Sequence, residues 1–363
     1  MRVRGLQKTK LSRVAYWLII LVLVTYILIK GKSILLPLIL AIAIWYLIRG
    51  IKNAIGKIKI GSKPLPGWIR GSLALIIIIA VLAGVSEMVA FNLNLMTQAW
   101  PKYQASLREL ALNIANQLDI DDLNALLKER LTKLDLKPLL TGTVSTFTGL
   151  LGNSFITLIY VLFLILEESV FHLKLKALYS EKEGLETITG LLNQLDKSIN
   201  GYIVIKTGAS LLTAVLSYTV LALIGVDFPF FWAFLIFVLN YIPAIGSMIA
   251  TLFPSILALL QFGSLSYFFL VLVVVGSVQV LVGNVIEPRV MGNTLNLSTL
   301  VVIISLTFWG SIWGVIGMIL SVPITVIITI ILAQFPTSRS LAILLSEKGQ
   351  IASGMLDQKE QTK

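Results

Sequence analysis

Residues 227–263 read DFPFFWAFLIFVLNYIPAIGSMIATLFPSILALLQFG. From Phe230 to Phe262, 33 residues pass without a charge, and the run is interrupted by Asn240-Tyr241-Ile242-Pro243-Ala244-Ile245-Gly246 and again by Pro254. A straight helix of that length would measure about 50 Å, against a bilayer hydrocarbon core of about 30 Å. Pro243 removes a backbone donor and crowds the preceding turn, and Gly246 accepts the backbone angles of a reversal. The spacing therefore predicts two half-length helices of roughly 20 to 25 Å, each too short to cross alone. Such a re-entrant hairpin is stable only where protein or a water-filled cavity satisfies its exposed backbone.

Working outward, Leu297 to Phe335 repeats the pattern. It too is uncharged, and it is interrupted around Gly310-Ser311-Ile312-Trp313-Gly314-Val315-Ile316-Gly317 and by Pro323. Proline falls eight residues after Gly246 and six after Gly317, which makes the two stretches a weak internal repeat. With the single crossing of Gly263 to Ile286 between them, the two hairpins enter from opposite faces, the inverted arrangement of secondary transporters.

Composition agrees with a membrane chain. Of 363 residues 57% are hydrophobic and 13% charged, with mean hydropathy +0.92. Further uncharged runs at Val14 to Ile29, Ile34 to Ile48, Ser72 to Ser86, Leu139 to Leu166 and Thr207 to Val226 complete the expected layout. That layout is an all-α polytopic membrane protein with about six full spans plus two oppositely oriented re-entrant hairpins, or eight spans, with amphipathic arm helices. The expected divisions are three N-terminal spans (1–90), extracytoplasmic amphipathic helices (91–145), a span and cytoplasmic amphipathic arm (146–206), the transport core (207–335) and a cytoplasmic tail (336–363).

Charge sets the expected orientation. Residues 1–70 carry thirteen Lys and Arg and no acid, while the remainder carries 16 bases and 18 acids. The positives flank apolar runs, so the positive-inside rule accounts for them and nucleic-acid binding is set aside. Both termini are expected in the cytoplasm. The segment ahead of Val14 lacks a following cleavage site and reads as the start of a first span. The third span is expected to end near Glu87. Leu107, Leu110, Ala111, Ile114, Ala115 and Leu118 mark one amphipathic helix beyond it, and Leu123, Leu126, Leu127, Leu131 and Leu134 mark a second, capped by Asp121 or Asp122.

The chemistry-bearing inventory is thin. There is no cysteine and one histidine, His172, and no nucleophile, metal cluster or phosphate loop emerges, so neither enzyme, cofactor nor metal centre is expected. An uncharged polar set (Asn240, Ser247, Gln261, Ser277, Gln279, Asn284, Ser305, Thr307, Ser311) either lines a path for a hydroxylated solute or bonds between helices. The candidate path and hairpin residues are Asn240, Pro243, Gly246, Gln279, Asn284, Pro288, Gly310, Gly314, Gly317 and Pro323. Glu87, Asp227 and Glu287 all read as span-end carboxylates, which counts against cation exchange.

The Asn-x-Ile-Pro-x-x-Gly core (Asn240, Ile242, Pro243, Gly246) and the Asn-x-x-x-Pro-x-x-x-Gly segment (Asn284, Pro288, Gly292) resemble those of the autoinducer-2 exporter (AI-2E) family of bacterial inner-membrane proteins. The likeness is strongest over residues 140–335. Leu297-Ser298 departs from the histidine-proline or similar pair of many members, which bears on any proton-coupling role there. The resemblance implies a homo-oligomeric transporter, a pentamer, moving a small polar solute out of the cell. Its alternatives are a sodium(lithium)/proton antiporter and a non-transporting membrane scaffold.

Overall fold

The computed structural model describes residues 2–57, 59–60, 63–117, 154–179, 182–292 and 296–349. The second amphipathic helix expected around Leu123–Leu134, its Asp121 or Asp122 cap, and residues 350–363 of the tail lie outside them.

The described chain is helical: α1 (Arg2–Lys30), α2 (Lys32–Gly56), α3 (Gly67–Gln117), α4 (Ser154–Leu178), α5 (Lys182–Ile224), α6 (Pro229–Leu239), α7 (Ile245–Phe262), α8 (Leu265–Val280), α9 (Glu287–Met291), α10 (Thr299–Gln334) and α11 (Arg339–Leu345). A π-helical turn, Leu281–Ile286, joins α8 to α9. One short antiparallel ladder, Lys59–Ile60 with Lys63–Pro64, sits in the basic connection between α2 and α3. Among the described residues, seven helical segments are long and apolar enough to cross a bilayer: Lys32–Gly56, Gly67–Leu110, Phe155–Leu178, Gly184–Ile224, Ile245–Phe262, Leu265–Met291 and Thr299–Gln334. Leu18–Lys30 and Pro229–Leu239 are shorter apolar helices. This is a polytopic membrane protein.

Two helices outrun their expected spans. The chain does not break at Glu87: α3 is one helix of 51 residues, about 77 Å, continuing into the first amphipathic stripe. A lone carboxylate does not end a helix, and Pro101 is absorbed within it. Similarly α5 runs 43 residues through Gly201 and Gly208, so arm and span are one rod.

The 230–262 stretch breaks at Asn240–Ala244, as Pro243 and Gly246 predict, but Pro254 is absorbed inside α7, and the halves are unequal: α6 has 11 residues, whereas the 18 of α7 are enough to cross a bilayer. Pro229 takes the first position of α6, and α7 resumes at Ile245 after Asn240-Tyr241-Ile242-Pro243-Ala244. The turn is tight: the Ile245 N–H donates to the Pro243 carbonyl at 2.6 Å, and Ala244 between them has φ 58° and ψ −59°. These are the features of a γ-turn of the strained hand. Gly246 then lies so close to the end of α6 that a Cβ would overlap the Leu239 carbonyl oxygen.

The second stretch also reverses, inside α10. Gly314 holds φ 65° and ψ −144°, a region reserved for glycine. Beyond it, a Cβ on Gly317 would overlap the Trp309 carbonyl oxygen, as one on Gly246 would overlap that of Leu239. Gly310 faces Met318 across the same reversal.

An apolar core unites the first pair of helices with α3, α5 and α8. Trp232, Leu235, Ile236 and Leu239 of α6 and Ala250, Leu257 and Ala258 of α7 are buried with Met96, Tyr103, Leu221, Val271 and Val275. Leu306, Val315, Met318 and Ile319 of α10 pack into the same cluster. A separate cluster seats Trp309, Trp313 and Ile316 of α10 on Leu36 of α2.

Polar networks fasten α5 at two levels. At one, in its first half, Arg49 of α2 pairs with Asp196 of α5 and Glu168 of α4 (3.4 Å), with its guanidinium 4.8 Å from the centre of the Trp45 ring. At the other, the Tyr103 hydroxyl of α3 donates to Asp227 (2.8 Å), and the Asp227 N–H donates to the Gln261 side chain (2.6 Å). The Trp232 indole closes that loop on the Asp227 carbonyl (3.1 Å).

Candidate functional site

The residues with unspent polar chemistry gather along one face of α5. Tyr202, Lys206, Ser210, Thr213 and Ser217 are all buried, and their three- and four-residue spacing aligns them on a single stripe. A membrane helix has no reason to bury such a stripe against hydrocarbon-like neighbours unless it meets polar partners or a hydrated path.

Partners are supplied by two irregular segments. From the turn after α6, the Asn240 amide donates to Ser210 Oγ (3.3 Å), and the Tyr241 hydroxyl bonds to that of Thr207 (2.6 Å). From the far side of the π-turn, Glu287 Oε1 accepts from Lys206 Nζ at 2.6 Å. Three ties at residues 206, 207 and 210 thus hold the first reversal and the π-turn to one helix. The lysine and glutamate side chains are only 9% and 13% exposed; the other described ion pairs are 31% or more.

The stripe is not saturated. Tyr202 Oη, Ser217 Oγ and Gln279 Nε2 are buried without a hydrogen-bond partner. Buried polar atoms are nearly always paired, with protein or with an ordered molecule, so the unspent Tyr202 and Ser217 hydroxyls, about 22 Å apart along α5, and the Gln279 amide on α8 are open hydrogen-bonding positions.

Several expected path residues do not join it. Ser247, Ser277, Ser305, Thr307 and Ser311 donate to carbonyls three or four residues earlier in their own helices or in the turn before, and Ser277, Thr307 and Ser311 are exposed. Gln261 spends its amide on the Gly225 carbonyl (2.8 Å), at the end of α5 remote from Lys206.

The ten candidate residues fall into three groups. Asn240, Pro243 and Gly246 form the first reversal, where Asn240 and Gly246 are buried and Pro243 half-buried. Gln279 is buried on α8, whereas Asn284 and Pro288 are exposed on the π-turn and α9, beside Glu287. Gly310, Gly314, Gly317 and Pro323 belong to the second reversal, which is lined by Trp309 and Trp313; beyond it Ser321, Thr325 and Thr329 spend their hydroxyls on carbonyls of their own helix.

Lys206 and its stripe escaped the sequence reading. Lys206 looked like the last charge of a cytoplasmic arm and Glu287 like a span end. The signal was present in the four-residue steps Tyr202–Lys206–Ser210, but the partner is 81 residues away and only the fold names it.

The AI-2E family transporter model matches residues 18–337, nearly the whole chain. The chain belongs to the AI-2E transporter family. It is 30% identical over 325 residues to the AI-2 transport protein TqsA of Escherichia coli K12, covering 87% of this chain and 90% of that protein. It is 26% identical over 308 residues to a putative transport protein of Borreliella burgdorferi, covering 85% and 83%. The putative transport protein YhhT of Escherichia coli K12 matches at 30% over 242 residues, covering 66% and 68%. The chain is therefore a multi-pass inner-membrane transporter of this family.

Proposed function

We propose that the protein exports a small hydrophilic solute, autoinducer-2 or a chemically related metabolite, by alternating access. The observation that carries this reading is the buried polar stripe of α5, where Tyr202 and Ser217 hold unspent hydrogen-bonding atoms, together with the unspent amide of Gln279 on α8. Neutral donors and acceptors of this kind suit hydroxyl and carbonyl groups. An ion pair that neutralises itself leaves the seam without the net charge that would exclude a neutral solute.

In this reading α6–α7 and the two halves of α10 are re-entrant hairpins of opposite orientation. Asn240, Pro243, Gly246, Gln279, Asn284, Pro288, Gly310, Gly314, Gly317 and Pro323 then serve as path or hairpin residues. The matching close approaches at Gly246 and Gly317 support treating the hairpins as repeats. Residues 207–335 form the transport core, both termini are cytoplasmic, and the protein works as a homo-oligomer, a pentamer by the family resemblance.

Proteoliposomes containing the full chain test the reading. Labelled autoinducer-2 should exchange across the membrane above the rate of protein-free vesicles, and sodium and pH gradients identify the driving force. Wild-type protein that gives no flux under any gradient refutes the transport reading and leaves the scaffold. For topology, a cysteine introduced as Ser264→Cys should be labelled by an impermeant maleimide from outside whole cells. Protection there overturns the hairpin arrangement.

A further inference from the structure

An unspent cation lies outside the seam, where α2 and α3 meet at the ends of their spans. The two helices run antiparallel and pack through Ala41, Ile48 and Ala74, and at the open end of that contact Gly56 of α2 faces Arg70 of α3. A Cβ on Gly56 would come within 2.6 Å of Arg70 Nη1, so the glycine provides the notch in which the guanidinium lies. Arg70 Nε is buried without a hydrogen-bond partner, and among the described residues no acid pairs with this side chain. A guanidinium carries five donors in a planar fork that fits a carboxylate or a phosphate, and a buried donor left unspent costs free energy.

The surroundings name the anion. No Asp or Glu occurs in residues 1–86. The acids that reach α2, Glu168 and Asp196, are both engaged by Arg49, about 10 Å along the helix from Gly56. Lys52, one turn before Gly56, is half-buried and Lys57, just after it, is exposed; neither pairs with a described acid, and both add to the positive field. Basic pockets between membrane helices are sites for anionic headgroups.

The rest of this face is apolar. Arg70, Leu73 and Ile77 share one side of α3, and Leu73, Ile76 and Ile77 are exposed. Trp68, in the first turn of α3, is exposed as well, an indole placed as at the level of lipid headgroups. A cation at the end of a span, with exposed apolar side chains running from it along the span, matches a molecule with an anionic head and an acyl tail. A free anion would use only the first of these features.

We propose that the notch between Gly56 and Arg70 binds the phosphodiester of an anionic phospholipid, with an acyl chain lying along Leu73 and Ile77. The guanidinium donates to the phosphate oxygens, and Lys52 and Lys57 draw the headgroup in. With Glu168 and Asp196 spent on Arg49, the junction offers nothing to the ammonium of a zwitterionic headgroup, which sets the selectivity.

The test uses the purified full chain, delipidated in a non-ionic detergent, with binding of tritiated dioleoyl-phosphatidylglycerol counted by scintillation proximity. Wild type should bind saturably and release the label to unlabelled phosphatidylglycerol, but not to dioleoyl-phosphatidylcholine or inorganic phosphate. Arg70→Gln should weaken binding about tenfold, as loss of charge-assisted hydrogen bonds worth about 1.4 kcal/mol requires. Gly56→Ala keeps every charge and meets only the mobile end of a side chain, so it should melt as wild type does. By lifting the fork from its notch it should still weaken binding about threefold. Lys32→Gln removes an exposed cation from the far end of α2, about 36 Å away, and should bind as wild type does. Equal weakening in Lys32→Gln and Arg70→Gln would reduce the site to net charge and overturn the proposal. Displacement by phosphatidylcholine or inorganic phosphate overturns it as well. So does wild-type binding in Arg70→Gln or Gly56→Ala, the result expected if a second copy of the chain covers this face instead.

Discussion

The two broken stretches solve one geometric problem with different chemistry. In both, the chain turns back within a few residues and seats a glycine over a carbonyl of the helix it has just left, Gly246 on Leu239 and Gly317 on Trp309. The first takes five residues, spends strain at Ala244, and presents Asn240 and Tyr241 to α5. The second pivots at Gly314 and presents Trp309 and Trp313 to α2, with the Trp313 indole donating to the Leu28 carbonyl (3.1 Å). A polar tip and a dry tip built on the same glycine contact indicate a shared backbone device with divided duties, chemistry at the first and anchoring at the second.

The largest expected effect attacks what the two share. At Gly246 and Gly317 a methyl group meets backbone carbonyl carbon and oxygen, which cannot rotate aside. Gly246→Ala and Gly317→Ala should each cost about 3 kcal/mol, the upper range for overpacking. Both should lower the melting temperature in detergent by similar amounts. If one substitution is silent, the two reversals are not equivalent and the repeat fails.

Much of this was legible beforehand, for reasons visible in particular residues. Uncharged runs of 15 or more residues must become helices in a bilayer, and Pro243 with Gly246 forbids a straight continuation. The second break was legible as a region but not as a residue, because Gly310, Gly314 and Gly317 compete and only the fold gives Gly314 its positive φ. The length of α3 was not legible, since a lone carboxylate such as Glu87 brings no change of backbone preference to mark where a helix continues. Lys206 was hidden because pattern reading scores charges as span boundaries, and a charge paired across 81 residues breaks that rule.

A second pair of substitutions should move stability in opposite directions. Gly314 has open space where a Cβ would sit, so Gly314→Ala costs only backbone strain, about 1 to 3 kcal/mol. Ala244 already carries a positive φ as an L-residue, so Ala244→Gly should release strain and raise stability by about 1 kcal/mol. Thermal unfolding of the two variants side by side checks the signs. An Ala244→Gly protein that melts below wild type would mean that the first turn is not strained as described.

The smallest stability effect is expected where the functional effect is greatest. Tyr241→Phe removes one hydroxyl and its 2.6 Å bond to Thr207. Hydrogen bonds between membrane helices contribute about 0.6 kcal/mol on average, so the melting temperature should hardly change. Trp313→Phe at the dry tip removes an indole that is 2% exposed and bonded across to α1, and should cost about 2 kcal/mol. If duties are divided as the geometry indicates, flux per folded molecule should fall several-fold in Tyr241→Phe and stay near wild type in Trp313→Phe. The reverse ranking would move the chemistry to the second reversal. Equal losses would show that the two tips work as one gate, with anchoring and recognition not separable between them.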